Sequence, residues 1–323
     1  MEVITLNHSY TDFHSFLPFF SASDTQSYLK NCYQKLSIDQ AEQKSYENSY
    51  PFIYYLEHAQ IYYQQAVQSP LLIQPILLFY GFTHLIKACL LTTDPYYPGN
   101  TSMLAHGVST RKRKKQQYEF FQDEVKFQKN GLLSCMLENL FNIKHSEGDK
   151  ATMCELFQQI PELHKLFIQL EGKHTYIKVP IQQHTFSFPK KILDAFHMTE
   201  NRFIDFLHTE SSNSLLFKES LSDCLLFDYH DSNICLLPVK YNLEEQNFYF
   251  SLLRGKFLCY PEMITHYLLL YNLSMISRYE TEWWSELLKT MPNKDYPFIV
   301  QFLKLTAKKG PFLVYQFLFN RLC

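Results

Sequence analysis

Residues able to handle an anion concentrate in a short stretch, LAHGVSTRKRKK, spanning residues 104–115. His106 and Gly107 stand before two hydroxyls, Ser109 and Thr110, and before five consecutive cations, Arg111, Lys112, Arg113, Lys114 and Lys115. Glycine lets the backbone turn, so that the amides from Val108 to Arg111 line a concavity of the kind that cradles negative oxygens. Arginine then grips phosphate with paired donors and lysine acts as a point charge. His106 is placed to donate a hydrogen bond or to sense pH. The run reads equally as a solvated loop balanced by Glu119, Asp123 and Glu124.

Three further groupings bear on chemistry. Tyr80, His84 and Lys87 fall at i, i+4 and i+7 of an otherwise apolar stretch, hence on one helix face, which is either the wall of a site or a stripe satisfied by neighbouring helices. RYETEWW sets Arg278 among Tyr279, Glu280, Trp283 and Trp284: Arg278 completes an anion pocket, or pairs with an acid while the tryptophans lock two helices together. Arg202 and His208 form an Arg-x5-His spacing, but six positions turn the side chains away from each other, and Arg202 with Asp205 reads as an exposed pair. No catalytic set stands out, and His106, Arg202 and His208 remain the candidates for one. Neither a metal nor a cofactor is expected.

Composition excludes much else. The closest glycines, Gly99 and Gly107, are eight positions apart, so a Walker loop, a dinucleotide fingerprint and a GxSxG elbow are all impossible. No two of the eight cysteines are closer than 11 positions, which removes CxxC metal and redox motifs and suits reduced thiols. A net charge of -2 creates no global pull toward nucleic acid or membrane, so any attraction to phosphate must be local. The N-terminus has no signal-peptide pattern, and no membrane contact is expected; a cytoplasmic protein is. With 46% apolar and 16% aromatic residues the chain has ample core material, rich in rings whose buried hydroxyls need partners.

The elements that must position these residues follow from periodicity. Ser21 or Ser23 caps a helix to about Leu36, Pro51 opens an amphipathic helix ending before Ser69, and a nearly all-apolar central helix runs from Leu71 to Leu91. QQYEFFQDEVKFQ reads as extended, LLSCMLENLF as a short helix, and Pro161 opens another. TYIKVP, HTFSFP, CLLFDYH, ICLLPVKY and NFYFSLL read as strands, interrupted by one helical stretch, PKKILDAFHMTENRFIDFLH. A helix begins at Pro261, and two more, 296–308 and 311–322, are divided by Gly310 as a stop signal.

SYENSYPFIYYLEHAQIYY, IQPILLFYGFTHLIKACLL, LAHGVSTRKRKK, DEVKFQKNGL and LSMISRYETEWW together resemble the bacterial YaaC-like family, from about Phe19 to the C-terminus. That family lends no established activity. A deeper likeness is to HEPN-type helical domains: Tyr80, Gly81, His84, Leu85, Lys87 and Ala88, followed by His106-Gly107, match the outline. Ribonuclease members carry an arginine four to six residues before the catalytic histidine, whereas Asn100, Thr101 and Ser102 stand there in this chain.

The expected architecture is therefore α+β, mainly α: a HEPN-like helical core with a small antiparallel strand-rich region in the middle. A single compact unit, 1–323, is expected to hold a helical half (1–172), the strand-rich region with its inserted helix (173–260) and the last helices (261–323). The expected function is non-catalytic or regulatory binding of a phosphate-bearing ligand, a nucleotide or an RNA backbone, at the LAHGVSTRKRKK turn. The alternatives are a protein-interaction or dimerising scaffold, whose partner is another protein or a second copy, and a divergent ribonuclease.

Overall fold

The computed structural model describes residues 10–110, 118–211, 213–229, 238–253, 255 and 260–321. After a short 3-10 helix, Phe13–Phe20, come α1 (Ala22–Lys35), α2 (Ala41–Gln68) and α3 (Gln74–Leu91), then β1 (Val108–Thr110) and β2 (Glu124–Phe127). Next are α4 (Leu132–Cys135), continued by a wider turn to Leu140, β3 (Lys150–Thr152), α5 (Met153–Phe157) and α6 (His164–Glu171). β4 (Tyr176–Lys178), β5 (Ile181–Gln182) and β6 (Thr185–Pro189) precede α7 (Lys191–Phe196) and α8 (Glu200–Glu210). β7 (Leu215–Ser220), β8 (Cys224–Tyr229), β9 (Val239–Asn242) and β10 (Asn247–Ser251) lead into α9 (Glu262–Tyr279), α10 (Thr281–Thr290) and α11 (Asp295–Phe319). The chain is α+β and mainly α.

Backbone contacts gather the chain into two units, a strand-rich one over Phe157–Glu262 and a helical one from Asn7–Leu156 with Met263–Cys323. In the strand-rich unit the strands form two antiparallel sheets, ordered β4-β10-β9 and β5-β6-β8-β7, where one sheet was expected. Period-two alternation turns Phe186 and Phe188 of β6 and Leu225, Phe227 and Tyr229 of β8 inward. Edge-on ring contacts, Phe188 to Phe227 at 5.3 Å and Phe186 to Phe248 at 5.3 Å, knit this core. The inserted helical stretch is two helices, because His197 adopts a left-handed conformation that ends α7 and Thr199 caps α8 through the Arg202 amide.

The helical unit is organised on α2 and α3. α2 is 28 residues long and begins ten residues before Pro51, the expected start. The polar segment is helical, and within it the Ser45 and Ser49 hydroxyls donate to the Glu42 and Tyr46 carbonyls, which satisfies both serines where they are buried. Pro51 lies on the exposed side, where water can take the carbonyl that loses its donor. Gly310 is no stop signal either: α11 runs through it. A Cβ there would lie 2.6 Å from the Tyr63 hydroxyl, and one on Gly81 would lie 2.8 Å from the same ring. These glycines serve close helix packing. The tyrosine hydroxyls find partners as expected at Tyr28, which donates to the Leu318 carbonyl at 2.8 Å, and at Tyr33, which donates to that of Leu91 at 2.8 Å.

α3 is long and apolar enough to cross a membrane by length and composition, and 67% of it is buried inside the protein, as a core helix would be. A third sheet, β1-β2-β3, belongs to this unit. Among the described residues of the stretch expected to be extended, Glu124–Phe127 is a strand and Phe120–Gln122 a helical turn.

Candidate functional site

The stripe on α3 faces a collection of rings and cations from three other segments of the helical unit. α2 contributes Tyr55, His58 and Tyr62, α9 contributes Tyr271 and Arg278, and the loop before β1 contributes His106. Tyr62 stacks nearly parallel on His84, with centroids 5.7 Å apart at 19°, and lies 6.1 Å from Tyr80. His58 meets His84 edge-on at 5.2 Å, and Lys87 Nζ stands 5.7 Å over the Tyr55 ring. Tyr80 continues the contact to His106 at 6.3 Å, and Tyr271 approaches His106 at 5.7 Å. Arg278 donates to the Tyr80 hydroxyl at 3.4 Å and to the Ser274 carbonyl at 3.1 Å, with its guanidinium over Tyr279.

His106 is held by its backbone rather than by its ring. Its carbonyl accepts from the Tyr267 hydroxyl at 2.8 Å and from the Leu133 amide at 3.2 Å. On either side, the Ala105 carbonyl accepts from Leu132 and that of Gly107 from Gln128. The two chain segments cross so closely that a Cβ on Gly131 would lie 2.4 Å from the Gly107 nitrogen; both glycines have positive φ. The imidazole is left free to lie among Phe79, Tyr80 and Tyr271.

Lys87, Arg278, His84 and His106 are each half-buried. Burial pushes the His84 imidazole down to about 4, with Lys87 and His58 adding to the effect. His106 is lowered first by burial, then by Arg278 and Lys87, and burial lowers Lys87 as well. All three shifts disfavour a proton, the mark of a partly dry place with excess positive potential. Among the described residues no carboxylate lies within ion-pair distance of Lys87 or Arg278. An acid partner for Arg278, one of the two sequence readings, is therefore not found there.

The structure thus brings Tyr80, His84, Lys87, His106 and Arg278 together. It treats the turn differently. Val108, Ser109 and Thr110 form an edge strand in register with Phe127, Lys126 and Val125, not an open concavity of amides. The Ser109 hydroxyl accepts from Gln128, and that of Thr110 donates to the Glu124 carbonyl. Arg111, Lys112, Arg113, Lys114 and Lys115 lie outside the described residues. Arg202 and His208 are exposed on α8 of the strand-rich unit, and no ion pair joins Arg202 to Asp205. Trp284 is fully buried and donates to the Leu72 carbonyl at 2.9 Å, while Trp283 packs 4.8 Å from Tyr118. Trp284 thus ties α10 to the turn before α3, and Trp283 ties it to the segment before β2. No group of three potential metal ligands occurs among the described residues.

Sequence reasoning passed over Tyr55, His58, Tyr62 and Tyr271. The amphipathic pattern of α2 separates a buried face from a polar one and does not single out the rings between them. Chemically, the assembled cluster offers cations, hydrogen-bonding imidazoles and flat aromatic surfaces, which suits an anion attached to a planar group.

No curated protein and no solved structure matches this chain. The family described as YaaC-like Protein matches residues 17–318, nearly the whole length. Helices α1 to α10, the His106 loop and Arg278 all fall inside that match, and the chain belongs to the YaaC-like family.

Proposed function

We propose that the cation and aromatic cluster of the helical unit binds a phosphate-bearing ligand, a nucleotide or an RNA backbone, in a non-catalytic or regulatory role. One observation carries this reading: Lys87 and Arg278 are half-buried beside two histidines with no carboxylate in reach among the described residues. Withdrawing a cation from water costs free energy that a folded protein normally offsets with an acid. A site that leaves two cations uncompensated is completed by an anion arriving from outside. The rings supply the flat surface that a base requires, and a reduced cytoplasmic setting suits the free thiols of Cys32, Cys89, Cys135, Cys154 and Cys224.

The test is calorimetric titration and thermal shift with adenosine monophosphate and a short RNA, at low and at raised salt. Wild-type protein should be stabilised by several degrees, and Lys87→Ala with Arg278→Ala should abolish the shift while the protein stays folded. Absence of any shift, or a shift that survives the double substitution, overturns the proposal. If no anion binds and the chain self-associates, the scaffold reading takes its place. RNA cleavage lost in His106→Ala would instead make the protein a ribonuclease.

A further inference from the structure

α2 carries rings at an uninterrupted four-residue spacing: Tyr46, Tyr50, Tyr54, His58 and Tyr62. The first three are 67%, 54% and 53% exposed, while the last is stacked into the cluster against His84 and Tyr80. Each step climbs about 6 Å along the helix and turns about 40° around it, so the row winds from open solvent to the cations over about 24 Å. Tyr50 and Tyr54 already lie ring to ring at 6.0 Å and 35°. The helix meets the core on another face, through Phe52, Leu56, Ala59, Tyr63 and Ala66. Packing therefore does not account for the exposed rings. Single exposed tyrosines are ordinary, but a row in register that ends in a charged site is not scatter.

We infer that this row is a stacking track for a single-stranded nucleic acid whose phosphates are drawn to Lys87 and Arg278 at its inner end. The inference rests on the anion site proposed above and narrows its ligand from any phosphate compound to an oligonucleotide. Every base has a π face, so a row of rings accepts a strand without reading its sequence. A step of about 6 Å is open to a single strand, whose backbone extends well beyond its stacked rise of about 3.4 Å. Beside the row, Glu47 is held by Lys44 and Gln43, and Glu57 is the acid left without a partner among the described residues. Its side chain is exposed.

Adenylate oligomers from one to about six nucleotides separate the two claims, with affinity measured by fluorescence polarisation competition on the full chain. Affinity should rise with length, by about fivefold or more for each ring engaged, and level off near five nucleotides. Tyr50→Ala with Tyr54→Ala should remove that gain and leave the mononucleotide affinity unchanged, since neither ring touches the cluster; Tyr→Phe at both positions should retain the gain. Mononucleotide binding with no length dependence overturns the track and leaves the anion site standing. Failure of every oligomer and mononucleotide to bind removes both. Sedimentation of the same variants covers the other occupant: if the double alanine variant loses a dimer while length dependence persists, the row is a self-association surface and the inference fails.

Discussion

Charge is treated in opposite ways by the ion pairs of the strand-rich unit and by the cluster around Lys87 in the helical unit. In the strand-rich unit, Lys190 meets Glu200 at 2.7 Å, Lys165 meets Glu245 at 2.9 Å and Lys218 meets Asp228 at 3.2 Å. There the hydrogen bond from Lys190 and that from Tyr249 hold the Glu200 and Glu245 carboxyls below their usual range, and Glu245 raises Lys165. In the helical unit, Lys87, His84 and His106 all shift the other way, toward the uncharged form. Charges of the first kind support the surface that carries them. Those of the second are held in an unfavourable state by the fold around them, which makes the cluster the place where an external anion gains most.

The largest expected break in that comparison comes from Lys87→Met. If the cluster is an uncompensated anion site, this variant should lose nucleotide affinity by about a hundredfold or more, as for a desolvated charge-assisted contact. Its melting temperature should stay level or rise, because a half-buried cation is replaced by an apolar group of similar length. A clear fall in melting temperature would mean that Lys87 has a stabilising partner after all, and the contrast between the units would vanish.

Second in size is the packing that holds the cluster rigid. Gly310→Ala should cost about 1–3 kcal/mol in a denaturant titration, the usual range for overpacking, as the new methyl meets the Tyr63 hydroxyl. That hydroxyl is buried with no hydrogen-bond partner among the described residues. Tyr63→Phe should therefore be close to neutral alone and should rescue most of the Gly310→Ala loss. Equal losses with and without the hydroxyl would place the strain elsewhere.

The smallest effect concerns protons. His84 in the free protein titrates near 4, below an ordinary histidine. In the free protein the unfolded chain takes up this proton more readily, so stability should fall as pH drops from about 6.5 toward 4. A bound anion favours the imidazolium, raises that value and makes binding take up a proton. Affinity for a phosphate ligand should accordingly be several-fold tighter near pH 5.5 than near pH 7.5, and the dependence should weaken in His84→Phe. Affinity independent of pH across that range would show that no histidine of the cluster faces the anion.

Much of the helical unit was legible beforehand. The spacing of Tyr80, His84 and Lys87 is a property of any helix, so their shared face followed from sequence alone, as did the burial of α3 from its apolar residues. Pro51 and Gly310 misled for a physical reason: residues that end helices in isolation are tolerated within them when tertiary contacts offset the local cost. Gly310 is required by a tyrosine some 250 positions away, and nothing near it in the chain records that. That the Ser109 hydroxyl meets Gln128 and that of Thr110 the Glu124 carbonyl is likewise not written in the residues beside them.

By itself the sequence determined the helix faces, the alternation of the inner strands and the impossibility of every glycine-rich phosphate loop, because each depends on residues close along the chain. Only the tertiary structure decided that Arg278 stands beside Tyr80, that His106 is turned toward Tyr271 and that Lys87 pairs with no acid among the described residues. Charge compensation depends on what is near in space, and residues about 200 positions apart become neighbours only when the helices that carry them pack.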